Sequence, residues 1–380
     1  MEWKTLWHYQ TVDFGPPVAD LENIEQQLCI LPTVSGCGLK IRFDNTLNSG
    51  DMDIESVAVS HADNVDETPA LFGESTDFVI SPGQTADARA EGFKVTAGER
   101  LFVSVRFRRA GGICGLCQTW AAGSWQTRFR PFGGEQWLKG VEAVPFFSFD
   151  IHEPNLSVGV FRIDVLTDQP VKTLAMFGDS ITHMSYYTDA LIQRILRECP
   201  GKYALLNCGL GGNRLCCDAA DVPEMEGHSV LFGPAGYKRF ESHVFGTARP
   251  DEVYILEGIN DVCHGWQFGH PDETPTVEEY AGKCTSMINC AHAHGAGVFL
   301  CTVMPESIFE NEPWYRASEE LRTGINAWIR SQKAADGVID FEALLSDPEC
   351  ENRLREGLSL DCLHPNEAGG ALMASAIPLT

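Results

Sequence analysis

Serine is a poor nucleophile until an imidazole takes its proton, and the imidazole needs a carboxylate to fix its tautomer. The chain carries all three groups in suggestive settings. Gly178-Asp179-Ser180 directly follows the apolar run 171–177, Val-Lys-Thr-Leu-Ala-Met-Phe. Asp361 and His364 stand three apart in Asp361-Cys362-Leu363-His364-Pro365, a spacing that one turn of backbone closes. The charge that develops on an ester carbonyl oxygen also needs donors aimed at it. Candidates are the backbone N–H groups of Ser180 and Gly212 and the side-chain amide of Asn260. Gly212 lies in Asn207-Cys208-Gly209-Leu210-Gly211-Gly212-Asn213, and Asn260 in Glu257-Gly258-Ile259-Asn260-Asp261. Taken alone, Gly-Asp-Ser reads first as a helix cap, since Asp and Ser are both good N-cap residues. The partners elsewhere turn the reading toward acyl transfer.

These residues need a scaffold that gathers them. From about residue 170 apolar strands alternate with helical patterns. Strands are expected at 171–177, 203–207, 251–256, 297–303 and 338–341. Helices are expected at 185–198, 277–294, 312–335 and 366–376. That alternation predicts a parallel sheet covered by helices on both faces, with its site beyond the carboxyl ends of the strands. Three of the four segments above follow a predicted strand, and the fourth precedes the last helix. Residues 1–150 have another rhythm. Segments 38–43, 54–60, 77–80 and 101–107 alternate apolar and polar residues with period two, separated by Gly, Asn, Asp and Pro. They predict an antiparallel sandwich of jelly-roll type. We therefore expect an accessory β-sandwich over 1–165 and a catalytic α/β domain over 166–380.

The four segments, in this order, resemble the SGNH (GDSL) hydrolases over roughly residues 171–380. The resemblance implies a flavodoxin-like three-layer α/β/α fold and ester hydrolysis without a metal or other cofactor. By position it makes Ser180 the nucleophile and an oxyanion donor, Gly212 and Asn260 further donors, His364 the base and Asp361 its orienting carboxylate. Asp179 and Asp261 become supporting hydrogen-bond partners. The family's usual glycine after Gly-Asp-Ser-Ile-Thr is absent, and His183-Met184 stands there instead. The N-terminal half, through segments 40–45, 81–87 and 98–105, looks like the β-sandwich that precedes the catalytic domain in some bacterial carbohydrate-directed members. The implied activity is a serine esterase acting on short acyl groups, acetyl first, carried by a carbohydrate. A lysophospholipase or thioesterase of the same family is the alternative, and a catalytically silent carbohydrate-binding protein is a second.

Four side chains near these segments are candidate substrate contacts: His183, Arg214, His264 and Trp266. The last two lie in 261–270, expected to be a loop on the catalytic rim, where Trp266 has a face that can stack on a sugar ring. Trp120, Trp125 and Trp137 in the N-terminal half suit core packing better than a sugar platform.

The bulk composition narrows the partners. Against 28 Lys and Arg the chain of 380 residues carries 53 Asp and Glu, a net charge of −25. A field of that sign repels nucleic acid and anionic membranes and leaves a neutral small-molecule or oligosaccharide ester as the expected partner. No apolar stretch approaches the ~18–20 residues that span a bilayer. The N-terminus lacks the basic and apolar regions of a secretory signal, so a cytoplasmic protein is expected. The 14 cysteines form no compact framework and read as reduced thiols. Cys114-Gly115-Leu116-Cys117 and Cys216-Cys217 raise a redox or zinc alternative, but no further spacing supports it.

Overall fold

A computed structural model describes residues 1–144, 154–246 and 248–379; the last residues of the β-rich stretch 1–150 lie outside these. By internal contacts the chain divides into Met1–Lys172 with Ile192–Leu206, and Thr173–Leu191 with Asn207–Thr380.

The N-terminal unit is antiparallel. Glu2–His8, Val160–Thr167, Gly36–Asn45 and Gln84–Val95 form one sheet in that spatial order. Trp125–Pro131, Ala19–Ile30, Leu101–Ile113, Met52–Ser60 and Thr68–Ala70 form a second, with Phe78–Ile80 also paired to Met52–Ser60. The period-two pattern sorts side chains as expected: Leu39, Ile41 and Phe43 are buried, as are Val103, Val105 and Phe107. Trp125 is core, with its ring centroid 5.1 Å from Trp7 and 4.9 Å from Tyr9. Trp137 is covered by guanidinium groups, Arg128 at 3.9 Å and Arg130 at 4.2 Å from its ring centre.

The second rhythm is also as expected. Strands β1 (Lys172–Gly178), β2 (Tyr203–Gly209), β3 (Glu252–Leu256), β4 (Gly297–Cys301) and β5 (Gly337–Ile339) form one sheet in the order 2-1-3-4-5. The pairs β1/β3, β3/β4 and β4/β5 run parallel. This is the doubly wound, flavodoxin-like order, whose ligand crevice opens where the order reverses, at β1 and β3. The helices are α1 (Ser180–His183), α2 (Tyr186–Glu198), α3 (Gly236–Phe245), α4 (Ile259–Gln267), α5 (Val277–Ala293), α6 (Tyr315–Ser331), α7 (Phe341–Leu345) and α8 (Glu367–Ala376). Local chemistry sets their starts. Thr276 and Glu279 close a capping box on α5, and Asn366 Oδ1 accepts the N–H groups of Ala368 and Gly369 to cap α8.

One of these expected elements is corrected: the segment 261–270 is not a loop, since through Gln267 it is α4. The expected helix 185–198 is present as α2, and a separate short helix that begins at Ser180 itself precedes it.

Candidate active site

β1 ends at Gly178, and the chain turns at Asp179 into α1. Asp179 Oδ1 accepts the Ile181 N–H at 3.0 Å. The cap is therefore supplied by Asp179, which frees the Ser180 hydroxyl. That hydroxyl lies 2.9 Å from His364 Nε2. On the other side of the ring, His364 Nδ1 is 2.7 Å from Asp361 Oδ2. Asp361 Oδ1 accepts two backbone N–H groups, from Leu363 at 3.0 Å and His364 at 2.8 Å. Cys362 takes φ +69° to make this turn. Burial opposes ionisation of Asp361, but its bonds to His364 and the backbone outweigh that and hold its pKa below the usual value. A carboxylate held ionised beside Nδ1 keeps the proton there and leaves the Nε2 lone pair facing Ser180.

The candidate oxyanion donors Gly212 and Asn260 lie just past the ends of β2 and β3. Gly212 takes φ +70°, and a Cβ there would fall 2.1 Å from the Phe232 ring. Only glycine fits that backbone under that ring. Asn260, in the first turn of α4, donates from Nδ2 to the Asn213 carbonyl at 2.8 Å. Its neighbour Asp261 accepts the N–H groups of Leu215 at 2.6 Å and Cys216 at 2.8 Å. Adjacent residues of one helix thus tie down the loop that carries Gly212.

Two buried residues to which the sequence reading assigned no role, Arg239 and Glu257, hold these loops together. The Arg239 guanidinium, from α3, donates to Asn213 Oδ1 at 2.6 Å and to the carbonyls of Cys208 and Gly178 at 2.9 Å each. It lies 3.3 Å from Glu257 and 4.0 Å over the Phe177 ring. One side chain thereby joins the ends of β1, β2 and β3. Burial raises the Glu257 carboxyl well above the carboxylate range, and the Arg239 charge opposes that rise.

Of the candidate substrate contacts, three face inward. His183 is fully buried, and its Nδ1 accepts the Gly211 N–H at 3.1 Å, so it supports the glycine turn from beneath. Arg214 is buried and paired with Glu273 at 2.8 Å, and its guanidinium also donates to the Asp218 carbonyl. His264 packs between Phe232 and Phe268, with centroids at 5.3 and 4.8 Å. Burial, then the Arg214 charge, push its pKa down to about 3, so it is neutral at working pH. Trp266 is half-buried on α4. The ring that does stand at the site is Phe232, against Gly212.

Asp179 carries a pH signature. Burial raises its pKa to about 7, against the opposing Ile181 N–H bond. The folded chain then keeps a proton that the unfolded chain releases near pH 4. Between about pH 4 and 7 this group makes stability fall as pH rises, by up to about 1.4 kcal/mol per pH unit. Asp179→Asn keeps the capping oxygen and removes the titration. Urea midpoints at pH 5 and pH 8 should therefore lie closer together in the variant than in the wild type. An unchanged difference between the two midpoints would show that Asp179 does not titrate in this range.

Residues 176–372 match the family model of the GDSL-like lipase/acylhydrolase family, and the chain belongs to that family. It is a carboxylic-ester hydrolase. No curated protein matches it. Among solved structures it is similar to an acetylxylan esterase from Geobacillus stearothermophilus, at 20% identity over 56% of this chain and 94% of that one, TM-score 0.40. It is similar to the acetyl xylan esterase AlAXEase at 22% identity over 54% and 96%, TM-score 0.40. A GDSL-like lipase from Bacteroides thetaiotaomicron aligns at 20% identity over 55% and 89%, TM-score 0.37. Among the described residues no helix is long and apolar enough to cross a membrane.

Proposed function

We propose that the chain is a serine esterase that removes a short acyl group, acetyl first, from a carbohydrate. The observation that carries the mechanism is the unbroken path Ser180 Oγ, His364 Nε2, His364 Nδ1, Asp361 Oδ2, at 2.9 and 2.7 Å. Ser180 attacks the ester carbonyl while His364 takes its proton. The oxyanion is received by the N–H groups of Ser180 and Gly212 and the Asn260 amide. The intermediate collapses, and His364 gives its proton to the departing sugar alkoxide. Water, deprotonated by His364, then attacks the acyl-Ser180 carbonyl. Ser180 leaves with the imidazolium proton, and the acid is released.

The short-acyl part is supported by Phe232. Its ring lies against Gly212, one of the proposed oxyanion donors, and so adds bulk on that side of the site. The carbohydrate part is supported by the sandwich that precedes the catalytic unit and by the net charge of −25, which disfavours anionic lipid surfaces.

The test is a p-nitrophenyl ester series from acetyl to dodecanoyl, with Ser180→Ala as the blank, followed by acetylated oligosaccharides. The reading predicts highest kcat/KM for acetyl and rates for Ser180→Ala close to the uncatalysed background. A maximum at long chains would move the lipid or thioester alternative ahead. Full activity in Ser180→Ala would remove Ser180 from the mechanism.

A further inference from the structure

Glu241 of α3, Cys290 of α5 and His294 at the C-terminal end of α5 bring an oxygen, a sulfur and a nitrogen together on the α3/α5 seam. The three ligand atoms lie within 4.8 Å of one another. We propose that they bind one divalent transition-metal ion of the zinc type, with solvent as the remaining ligand. The proposal is independent of the esterase reading.

The donor set is the first argument. Thiolate, imidazole and carboxylate together suit zinc and cobalt, and poorly suit magnesium or calcium, which want oxygen alone. The geometry is the second. His294 Nε2 and Glu241 Oε1 are 3.0 Å apart. Bonds of about 2.0–2.1 Å in a tetrahedron set such a pair about 3.3 Å apart, so the nitrogen and oxygen need only spread slightly around an ion. Cys290 and His294 are four apart along the helix, which puts both on one face. The third is preorganisation. The His294 N–H donates to the Cys290 carbonyl at 3.1 Å, which fixes the last turn. The Phe245 ring stacks on His294 with centroids 4.3 Å apart and planes 9° apart, which fixes the imidazole. Glu241 is largely exposed and free to swing inward.

Binding has a proton balance. The metal–sulfur bond replaces the Cys290 S–H, and that proton goes to solvent. The proton that His294 Nε2 shares with Glu241 moves to Nδ1, so the ring stays neutral. Binding should therefore tighten as pH rises.

The test uses the full chain, reduced and freed of metal with a chelator, titrated with Co²⁺ and followed by thiolate-to-cobalt charge-transfer absorption. The expected result is a band that saturates at one equivalent, is lost in Cys290→Ser, and needs at least tenfold more Co²⁺ in His294→Ala and in Glu241→Gln. Hydrolysis of p-nitrophenyl acetate should be unchanged in Cys290→Ser, which serves as the folding control alongside circular dichroism. A band that survives Cys290→Ser unchanged comes from another of the 14 cysteines and overturns the proposal. So does the absence of any band in the wild type. A band lost in Cys290→Ser but indifferent to His294→Ala would overturn the three-ligand site.

Discussion

Asp361→Asn is expected to lower kcat by about 10⁴ while leaving the loop in place. The direction follows from hydrogen-bond bookkeeping at one carboxylate. Asp361 Oδ1 accepts N–H groups from Leu363 and His364, while Oδ2 faces His364 Nδ1. An asparagine has one acceptor and one donor end. Two backbone N–H groups claim the acceptor, because the NH₂ end turned toward them would set donor against donor. The NH₂ end must then face His364 Nδ1, which can only accept it. The ring proton is driven to Nε2, and an Nε2–H cannot take the proton of Ser180. The fold should be nearly untouched, since both backbone bonds survive. The measurement is kcat for p-nitrophenyl acetate across pH 6 to 10, with circular dichroism as the control. Because the lesion is a tautomer, KM should move far less than kcat. An activity within tenfold of the wild type would mean that Asp361 does not set the tautomer.

How much of this was legible in the sequence depends on where each residue sits. Ser180, Gly212, Asn260 and the Asp361–His364 pair all lie at chain landmarks, just past an apolar strand or just before a capped helix. The parallel strands are legible for the same reason that they are buried, as unbroken apolar runs with residues such as Leu174, Ala175, Met176 and Phe177 wholly covered. α3 and α4 are not legible. Both lack a side-chain cap, and α4 starts from Gly258 at φ +132°, with a further glycine inside it. Missing α4 put His264 on an imagined loop, when the helix turns it into an aromatic core. His183 and Arg214 misled in another way. A polar residue beside a catalytic motif reads as a substrate contact, yet here each is itself buried and finds its partner within the fold, His183 at the Gly211 N–H and Arg214 at Glu273. Nothing in a linear pattern separates a buried arginine from a solvated one. The metal-ligand cluster was hidden because it joins two helices, one of which was unseen.

Arg239 is the residue that this blindness costs most, and its removal should be severe. In Arg239→Met the fold loses the cation that opposes protonation of Glu257, together with the donors to Gly178, Cys208 and Asn213. Breaking a buried pair by deleting one partner typically costs about 3–5 kcal/mol, and urea unfolding should report a loss of that order. Two contributions can be separated. Part of the loss is the carboxyl of Glu257 left buried near Asp179 and Asp261 without its cation, and Glu257→Gln in the same background should recover that part. The other part is the clamp itself. Without the bond to its Oδ1, Asn213 is held less firmly, and the Asn213 carbonyl is what orients the Asn260 amide. Asn260 is a proposed oxyanion donor, and complete loss of one such donor costs about 10²–10³ in kcat, so kcat should fall toward that limit and the added Glu257→Gln should not restore it. The double variant should thus be more stable than Arg239→Met but no faster. Recovery of both stability and kcat would mean that Arg239 serves only as the buried partner of Glu257; recovery of stability alone makes it the residue that sets the proposed oxyanion site through Asn213.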